Sequence, residues 1–341
     1  MKRIIYNGPE YCAVLENGIL VEFIHKEETR QNGDVLLGKI ERMMPGIGCA
    51  FVDIGRKQSG FLPLNENSSS FLGKELRSGQ IVPVQIRKEE TGGKGAFLSR
   101  DLTFVGKYIL FMPMNRHVGV SGRVINEEEK ELLRETGRKI SDNSFGIVMR
   151  ASSLNADYDD ICCDTRQMAE AWDGILKKIN ADQKPGCVLY HQDPVSQLIS
   201  DYSSMGTDEI READMLPSDL ERQLHESKQR MVQTGNGGNI VIDRCEAMTV
   251  IDVNTSSYHT DMDKERTFLE MNLNACETIS SQIRLRNLSG IILIDFIDMD
   301  NDDDRKKVAE KLQEFLENDR RKTVIHGWTS LGILEMTRKR T

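Results

Sequence analysis

Apolar and polar residues alternate with a changing period along the 341 residues, and the changes mark out successive elements. Residues 11–15 and 19–24 are apolar, aromatic-containing runs on either side of Glu16-Asn17-Gly18. Asn-Gly supplies the positive φ angles of a tight turn, so the pattern predicts a hairpin. Five short strand-like runs follow between glycines, at 35–40, 49–54, 60–64, 81–87 and 96–99. That many short strands in so little chain predict a small barrel, with the serine-rich segment 65–73 as a polar loop within it.

Further along, 104–112 reads as one apolar run, 127–139 as a short charged helix and 147–149 as a buried strand. A helix is expected over 164–178, where Met168, Ala171, Trp172 and Ile175, with Ile179 just beyond, share one face. Residues 201–235 are polar and predict no element, and Gly235-Asn236-Gly237-Gly238 marks a boundary. Beyond it, 239–243 and 247–253 read as a hairpin. A helix over 263–287 carries Leu269, Leu273, Cys276, Ile279 and Ile283 on one face. Then come a buried strand at 291–294, a helix at 303–317 and a short strand at 323–325. This succession implies right-handed crossovers and a sheet covered by helices.

Composition narrows the class. A length of 341 residues suits two or three domains. No apolar run approaches the roughly 20 residues of a membrane span, and the start, Met1-Lys2-Arg3-Ile4-Ile5-Tyr6, does not read as a signal peptide. Seven cysteines, odd in number and without a Cys-x-x-Cys pair, point to reduced thiols in the cytoplasm rather than a disulfide framework or zinc site. The net charge of −9 excludes a protein that coats nucleic acid by bulk charge, but local basic patches are compatible with RNA binding.

Candidate chemistry lies near the end. Asp252 closes the apolar run 249–251 and Asp295 closes 291–294, each just past an expected buried strand. Ligand groups gather at the carboxyl ends of adjacent strands in such sheets. Two carboxylates there repel unless a cation lies between them, and magnesium, which takes one or two carboxylates and keeps several waters, suits the pair. Asn254 projects to the same side as Asp252 and could orient it, and Asp298 is a further oxygen donor. The competing reading of a strand-end aspartate is a turn former or helix cap. Asp302-Asp303-Asp304 reads that way, as a helix start.

The runs Thr249-Val250-Ile251-Asp252-Val253-Asn254 and 291–299 (Ile-Ile-Leu-Ile-Asp-Phe-Ile-Asp-Met) resemble the ribonuclease E/G family. So do Asn272-Leu273-Asn274-Ala275, the stretch 282–290 and the terminal 331–338. The resemblance implies that Asp252 and Asp295 bind a catalytic Mg2+ and that Asn254 positions Asp252. Upstream, 38–40, 45–55 and 60–64 resemble the family's S1-type RNA-binding domain, an OB-fold, in agreement with the barrel. Phe51 and Phe61, on physical grounds candidates for the core, become base-stacking platforms by that resemblance. Lys94, otherwise a solvated hairpin tip, matches an RNA-contacting lysine; the glycines around it lack the Walker spacing.

Residues 105–113, 119–123 and 146–150 resemble the family's 5′-phosphate sensor. Arg150 would be its planar cation, with Gly106 and Leu110 lining the pocket. Ala151 stands where the family has a threonine, so one hydroxyl contact is missing. The resemblance covers 1–150 and 238–341 and leaves 151–238 largely unmatched. The family's zinc-binding Cys-Pro-x-Cys segment does not occur, so a homo-oligomer linked by shared zinc is not implied.

The expected fold is therefore multi-domain mixed α/β (α+β). An RNase H-like part covers 1–33 and 190–237, an S1-type OB-fold domain 34–100, a 5′-phosphate sensor 101–189, and a DNase I-like catalytic unit 238–341. The expected function is a cytoplasmic, Mg2+-dependent endoribonuclease. It would cut single-stranded RNA (rRNA precursors and mRNA) to 5′-phosphate and 3′-hydroxyl ends, preferring 5′-monophosphorylated substrates. The alternatives are a non-catalytic S1-type RNA-binding protein, which requires an inert acidic pair, and a metal-dependent DNA phosphoesterase, against which the S1-type domain argues.

Overall fold

The computed structural model describes the chain except residues 27–31, 65–75, 91–92, 182–183, 236, 256–263 and 340–341. The expected loop 65–73 lies outside the described residues. Chain contacts form two compact units, one of residues 1–28 and 206–341, the other of residues 29–205.

The first unit opens with β1 (Arg3–Asn7), β2 (Tyr11–Glu16) and β3 (Ile19–His25), paired antiparallel in that order. Asn17 (φ 51°) and Gly18 (φ 87°) make the turn the sequence predicts.

In the second unit, β4 (Val35–Met44), β5 (Cys49–Asp53), β6 (Gly60–Pro63), β7 (Ile81–Lys88) and β8 (Phe97–Ser99) follow the expected runs. Their order is β4-β5-β6-β8-β7, and β7 pairs back onto β4, closing a five-stranded barrel. Its interior holds Leu36, Ile40, Val52, Leu62, Val84, Ile86 and Leu98. Gly38 belongs in that wall because a Cβ there would come within 2.4 Å of Val52 Cγ1.

The run 104–112 divides into β9 (Phe104–Val105) and β10 (Ile109–Met112). The break has a cause: the buried Asp164 carboxylate accepts from the amides of Lys107 (3.1 Å), Tyr108 (2.7 Å) and Ile109 (3.3 Å). Next come β11 (Val118–Val120), α1 (Glu127–Ser141), β12 (Gly146–Met149), α2 (Tyr158–Ala181), β13 (Val188–Tyr190) and α3 (Pro194–Ser204). Asn126 caps α1 by accepting from the amides of Glu128 and Glu129, and three glutamates fill its first turn. The sheet order is β11-β12-β10-β9, while β13 adds to the barrel beside β4. Val35 and Leu37 of β4 share one core with Phe104, Phe111, Met149 and Trp172, so barrel and following segment pack as a single body.

Back in the first unit, the polar stretch that predicted no element forms β14 (Glu209–Glu212), α4 (Ser218–Glu226) and β15 (Met231–Gln233). β14 pairs parallel with β1, and Leu220 of α4 joins Tyr11, Ala13, Leu15 and Leu20 in a small core. The last elements are β16 (Gly238–Arg244), β17 (Met248–Thr255), α5 (Lys264–Leu285), β18 (Gly290–Asp295), α6 (Asp302–Leu316), β19 (Thr323–Trp328) and β20 (Ile333–Arg338). Their sheet runs β15-β16-β17-β18-β20-β19, with β17–β18 its one parallel pair among the described strands. This corrects the expected strand–helix–strand succession: β20 inserts between β18 and β19 by a hairpin, leaving β19 at the edge. α6 begins at the Asp302-Asp303-Asp304 run, capped by Asn301. Ala275, Ile279 and Ile283 of α5 and Val308, Leu312 and Leu316 of α6 cover Ile251, Ile292 and Ile294. A buried Glu16 carboxylate accepts from both Arg3 and Arg284, tying β2 to α5.

Candidate active site and nucleic-acid surface

β17 and β18 run parallel in a register that sets Asp252 directly beside Asp295, one position after the neighbours Ile251 and Ile294. The two isoleucines are fully buried, so the alternation of a strand puts both aspartates on the opposite face. Asp252 does not end its strand as the sequence suggested. β17 continues to Thr255 because β16 pairs with it throughout, Val241 opposite Asp252 and Asn239 opposite Asn254. Asp295 is the last residue of β18.

Asn254 lies on the same face and donates through Nδ2 to Asp252 Oδ2 at 2.8 Å. That bond fixes the plane of the carboxylate. Asp295 titrates above the usual carboxylate range, first through partial burial, then through the charges of Asp252 and Asp298. A cation between Asp252 and Asp295 would relieve the second effect. The donors are all oxygen, which fits a hard divalent ion held by two carboxylates and completed by water or substrate.

Asp298 is exposed and adds to the local field, but it does not join the pair in a cluster: among the described residues no three His, Cys, Asp or Glu side chains converge to hold a metal. The segment between Asp295 and Asp298 is instead fixed by its neighbours. Phe296 and Met299 are buried in the core. Asn272 of α5, fully buried, donates to Ile297 O at 2.8 Å and accepts from Ile297 N at 3.0 Å. An asparagine on the apolar stripe of a helix is the available sequence signal for such a clamp, since a buried amide needs partners.

On the barrel, Phe51 and Phe61 are half-buried and outside the interior cluster. Their rings meet edge to face with centroids 6.3 Å apart. A hollow of about 620 Å³ is lined by both, by Lys94 and by Phe97, an aromatic the sequence reading passed over although it stands three residues beyond Lys94.

The residues expected in the 5′-phosphate pocket lie around the end of β12. The Arg150 guanidinium donates to Gly106 O (2.5 Å), Ser200 Oγ (2.9 Å) and Lys107 O (3.3 Å), and forms an ion pair with Asp201. Gly106 is required there, because a Cβ would stand 2.5 Å from Asp164 Oδ2. Leu110 lies in β10, opposite Val148 of β12, and Ala151 opens a short 3-10 turn, half-buried. Arg150 is thus engaged by an internal carboxylate. Its partners Ser200 and Asp201 come from α3.

Comparison with known proteins identifies the family. The sequence model of the ribonuclease E/G family matches residues 103–216 and 215–341, and that of the S1 RNA binding domain matches 29–101. Ribonuclease G of Salmonella typhimurium (strain SL1344) is 31% identical over 377 residues, covering 96% of this chain and 77% of the relative. Ribonuclease G of Haemophilus influenzae is also 31% identical, with the same coverage. Ribonuclease E of Synechocystis is 28% identical over 99% of this chain and 56% of its own length. The family match runs through 151–216, correcting the expectation that the segment after 150 is largely unmatched.

Proposed function

The chain belongs to the ribonuclease E/G family and is an endoribonuclease, and we propose that it hydrolyses single-stranded RNA at Asp252 and Asp295 with the help of Mg2+. The observation that carries this reading is the side-by-side register of the two carboxylates on the exposed face of a parallel strand pair. Asp252 and Asp295 would hold the ion, which when bound would supply Lewis acidity toward the phosphodiester and lower the pKa of a water. Asn254 orients Asp252 through the Nδ2–Oδ2 bond. Asp295, directly beside Asp252 across the strand pair, would supply the second carboxylate to that cation. Asn272 keeps the Asp295–Asp298 segment in one conformation while this happens.

The S1 RNA binding domain supplies capture. Phe51 and Phe61 offer ring faces to bases and Lys94 a charge to the backbone, a combination that tolerates any sequence. The products in this reading carry 5′-phosphate and 3′-hydroxyl ends, and the substrates are rRNA precursors and mRNA in the cytoplasm. Among the described residues no helix is long and apolar enough to cross a membrane. The same reading designates the N-terminal hairpin with β14 and α4 as RNase H-like and the sheet carrying Asp252 and Asp295 as DNase I-like.

A 5′-monophosphate preference is part of the proposal. Arg150, with its fork of donors, would exchange Asp201 for the terminal phosphate. The reading as a whole is tested with a labelled single-stranded RNA incubated with Mg2+ or with EDTA. Internal cleavage restricted to the Mg2+ arm, with 3′-hydroxyl products, is the expected result. Undiminished cleavage in EDTA contradicts the metal assignment.

A further inference from the structure

We propose that RNA is read along a row of five side chains that crosses the barrel, Arg42–Phe51–Phe61–Phe97–Lys88, with Phe97 a third base-stacking platform and Arg42 and Lys88 the phosphate contacts at its two ends. The inference rests on the reading of this barrel as an RNA-binding surface and extends it to residues outside that reading.

Strand register makes the row. Arg42 of β4 lies opposite Phe51 of β5, and Phe51 opposite Phe61 of β6. Phe61 pairs in turn with Phe97 of β8, and Phe97 with Lys88 of β7. Residues directly opposite one another project from the same face of a sheet, so the five form a line across five adjacent strands. Register irregularities between Ile40 and Arg42 and between Ile86 and Lys88 lie where the two cations enter the row.

The side chains are held outward. Phe97 is 37% exposed while its neighbour Leu98 is fully buried in the barrel interior. The rings of Phe61 and Phe97 lie 5.7 Å apart and within 28° of parallel, and Lys88 Nζ stands 5.7 Å from the Phe97 centroid. Arg42 is exposed. A solvent-facing aromatic gains little for folding, whereas near-parallel ring faces beside cations are what unstacked bases and their phosphates require. Glu89 is the acidic group among the residues lining the hollow, set beside Lys88 and Lys94. The chemistry recognised is therefore a single-stranded polynucleotide with two or three bases splayed onto the rings.

The test is fluorescence anisotropy of the full chain with end-labelled oligouridylates of graded length, in EDTA so that no cleavage occurs. Phe97→Leu keeps an apolar side chain without a π face and preserves packing against Phe61. It is expected to weaken binding by about fivefold to tenfold, the lower end of a base-stacking contribution. Phe97→Trp should bind at least as tightly as the parent, and the gain in affinity with length should level off sooner in Phe97→Leu. Arg42→Gln and Lys88→Gln should each flatten the slope of log K against log salt by about 0.7, one phosphate contact on a single strand. Parent-like affinity in Phe97→Leu, with binding weakened in the Phe51→Ala/Phe61→Ala double variant, overturns the proposal and leaves the barrel an RNA-binding surface. Parent-like affinity in that double variant as well removes the underlying reading too.

Discussion

Asn272 and Ile297 are joined by a reciprocal pair of hydrogen bonds, side-chain amide to main chain, at 2.8 and 3.0 Å. The pair bridges helix α5 and the segment that follows Asp295, and Asn272 is wholly buried. Replacing it by leucine strands one main-chain donor and one acceptor, each carrying a desolvation cost of roughly 1–3 kcal/mol. Asn272→Leu should lower unfolding stability by about 2 kcal/mol in urea titration, allowing for partial rehydration. The Mg2+ concentration giving half-maximal cleavage should rise as the Asp295–Asp298 segment loosens. A stability loss with an unchanged metal requirement makes the clamp purely structural.

Arg150 and Asp201 yield a prediction of opposite signs for two variants. If the internal carboxylate competes with a 5′-phosphate for the guanidinium, Asp201→Asn should increase the ratio of cleavage rates on 5′-monophosphorylated and 5′-hydroxylated RNA. Arg150→Ala should bring that ratio to unity. Ala151→Thr, adding a neutral hydrogen bond of about 0.5–1.5 kcal/mol, should widen it by roughly threefold to tenfold. Initial rates on the two substrates measure all three. A parent ratio of unity that Asp201→Asn does not move leaves Arg150 a structural cation.

Phe51 and Phe61 lie outside the interior cluster, so Phe51→Ala/Phe61→Ala should fold. Single-stranded RNA affinity should fall by roughly 2–4 kcal/mol, two stacking contacts at the lower end of their range. Anisotropy gives the affinity and circular dichroism the fold. An unfolded double variant returns the two rings to the core.

Asp295 gives a pH prediction. Its folded-state pKa is raised by burial and by its acidic neighbours, so below the ordinary aspartate value its contribution to stability is fully present. That contribution is lost as pH rises through the raised value, and near neutrality the ionised group is a cost. Without divalent cations at neutral pH, Asp295→Asn should therefore raise the melting temperature slightly. The gain should be below about 1 kcal/mol, since solvent screens a partly exposed group. Added Mg2+ should stabilise the parent more than the variant, which thermal shift measures directly.

Much of this was legible in the residues, for identifiable reasons. The Asn17-Gly18 turn and the five short apolar runs carry their own periodicity, and the barrel follows from them. Two apolar runs each ending in aspartate announced the acidic pair, and their parallel adjacency realised it. What stayed hidden depends on contacts distant in sequence. β14 is a polar edge strand that exists only because β1 accepts it, and α4 buries little beyond Leu220. Asp201 lies on α3, and its pairing with Arg150 spans 51 residues, so it had no local signal. The extension of β17 past Asp252 is imposed by β16, and the clamp on Ile297 spans 25 residues.

In the proposed function the Asp252–Asp295 pair is the metal-dependent cleavage centre, and capture falls to the barrel. The most direct measurement is single-turnover cleavage of a labelled single-stranded RNA by the parent, Asp252→Asn and Asp295→Asn, with RNA affinity measured on the same preparations. Each substitution removes one carboxylate from the proposed divalent site and leaves Phe51, Phe61 and Lys94 untouched. The account predicts cleavage below about one per cent of the parent rate in both variants, the size of effect expected when a group acting on the reacting centre is lost, with RNA affinity unchanged. Either folded variant cutting at a rate close to the parent's contradicts it.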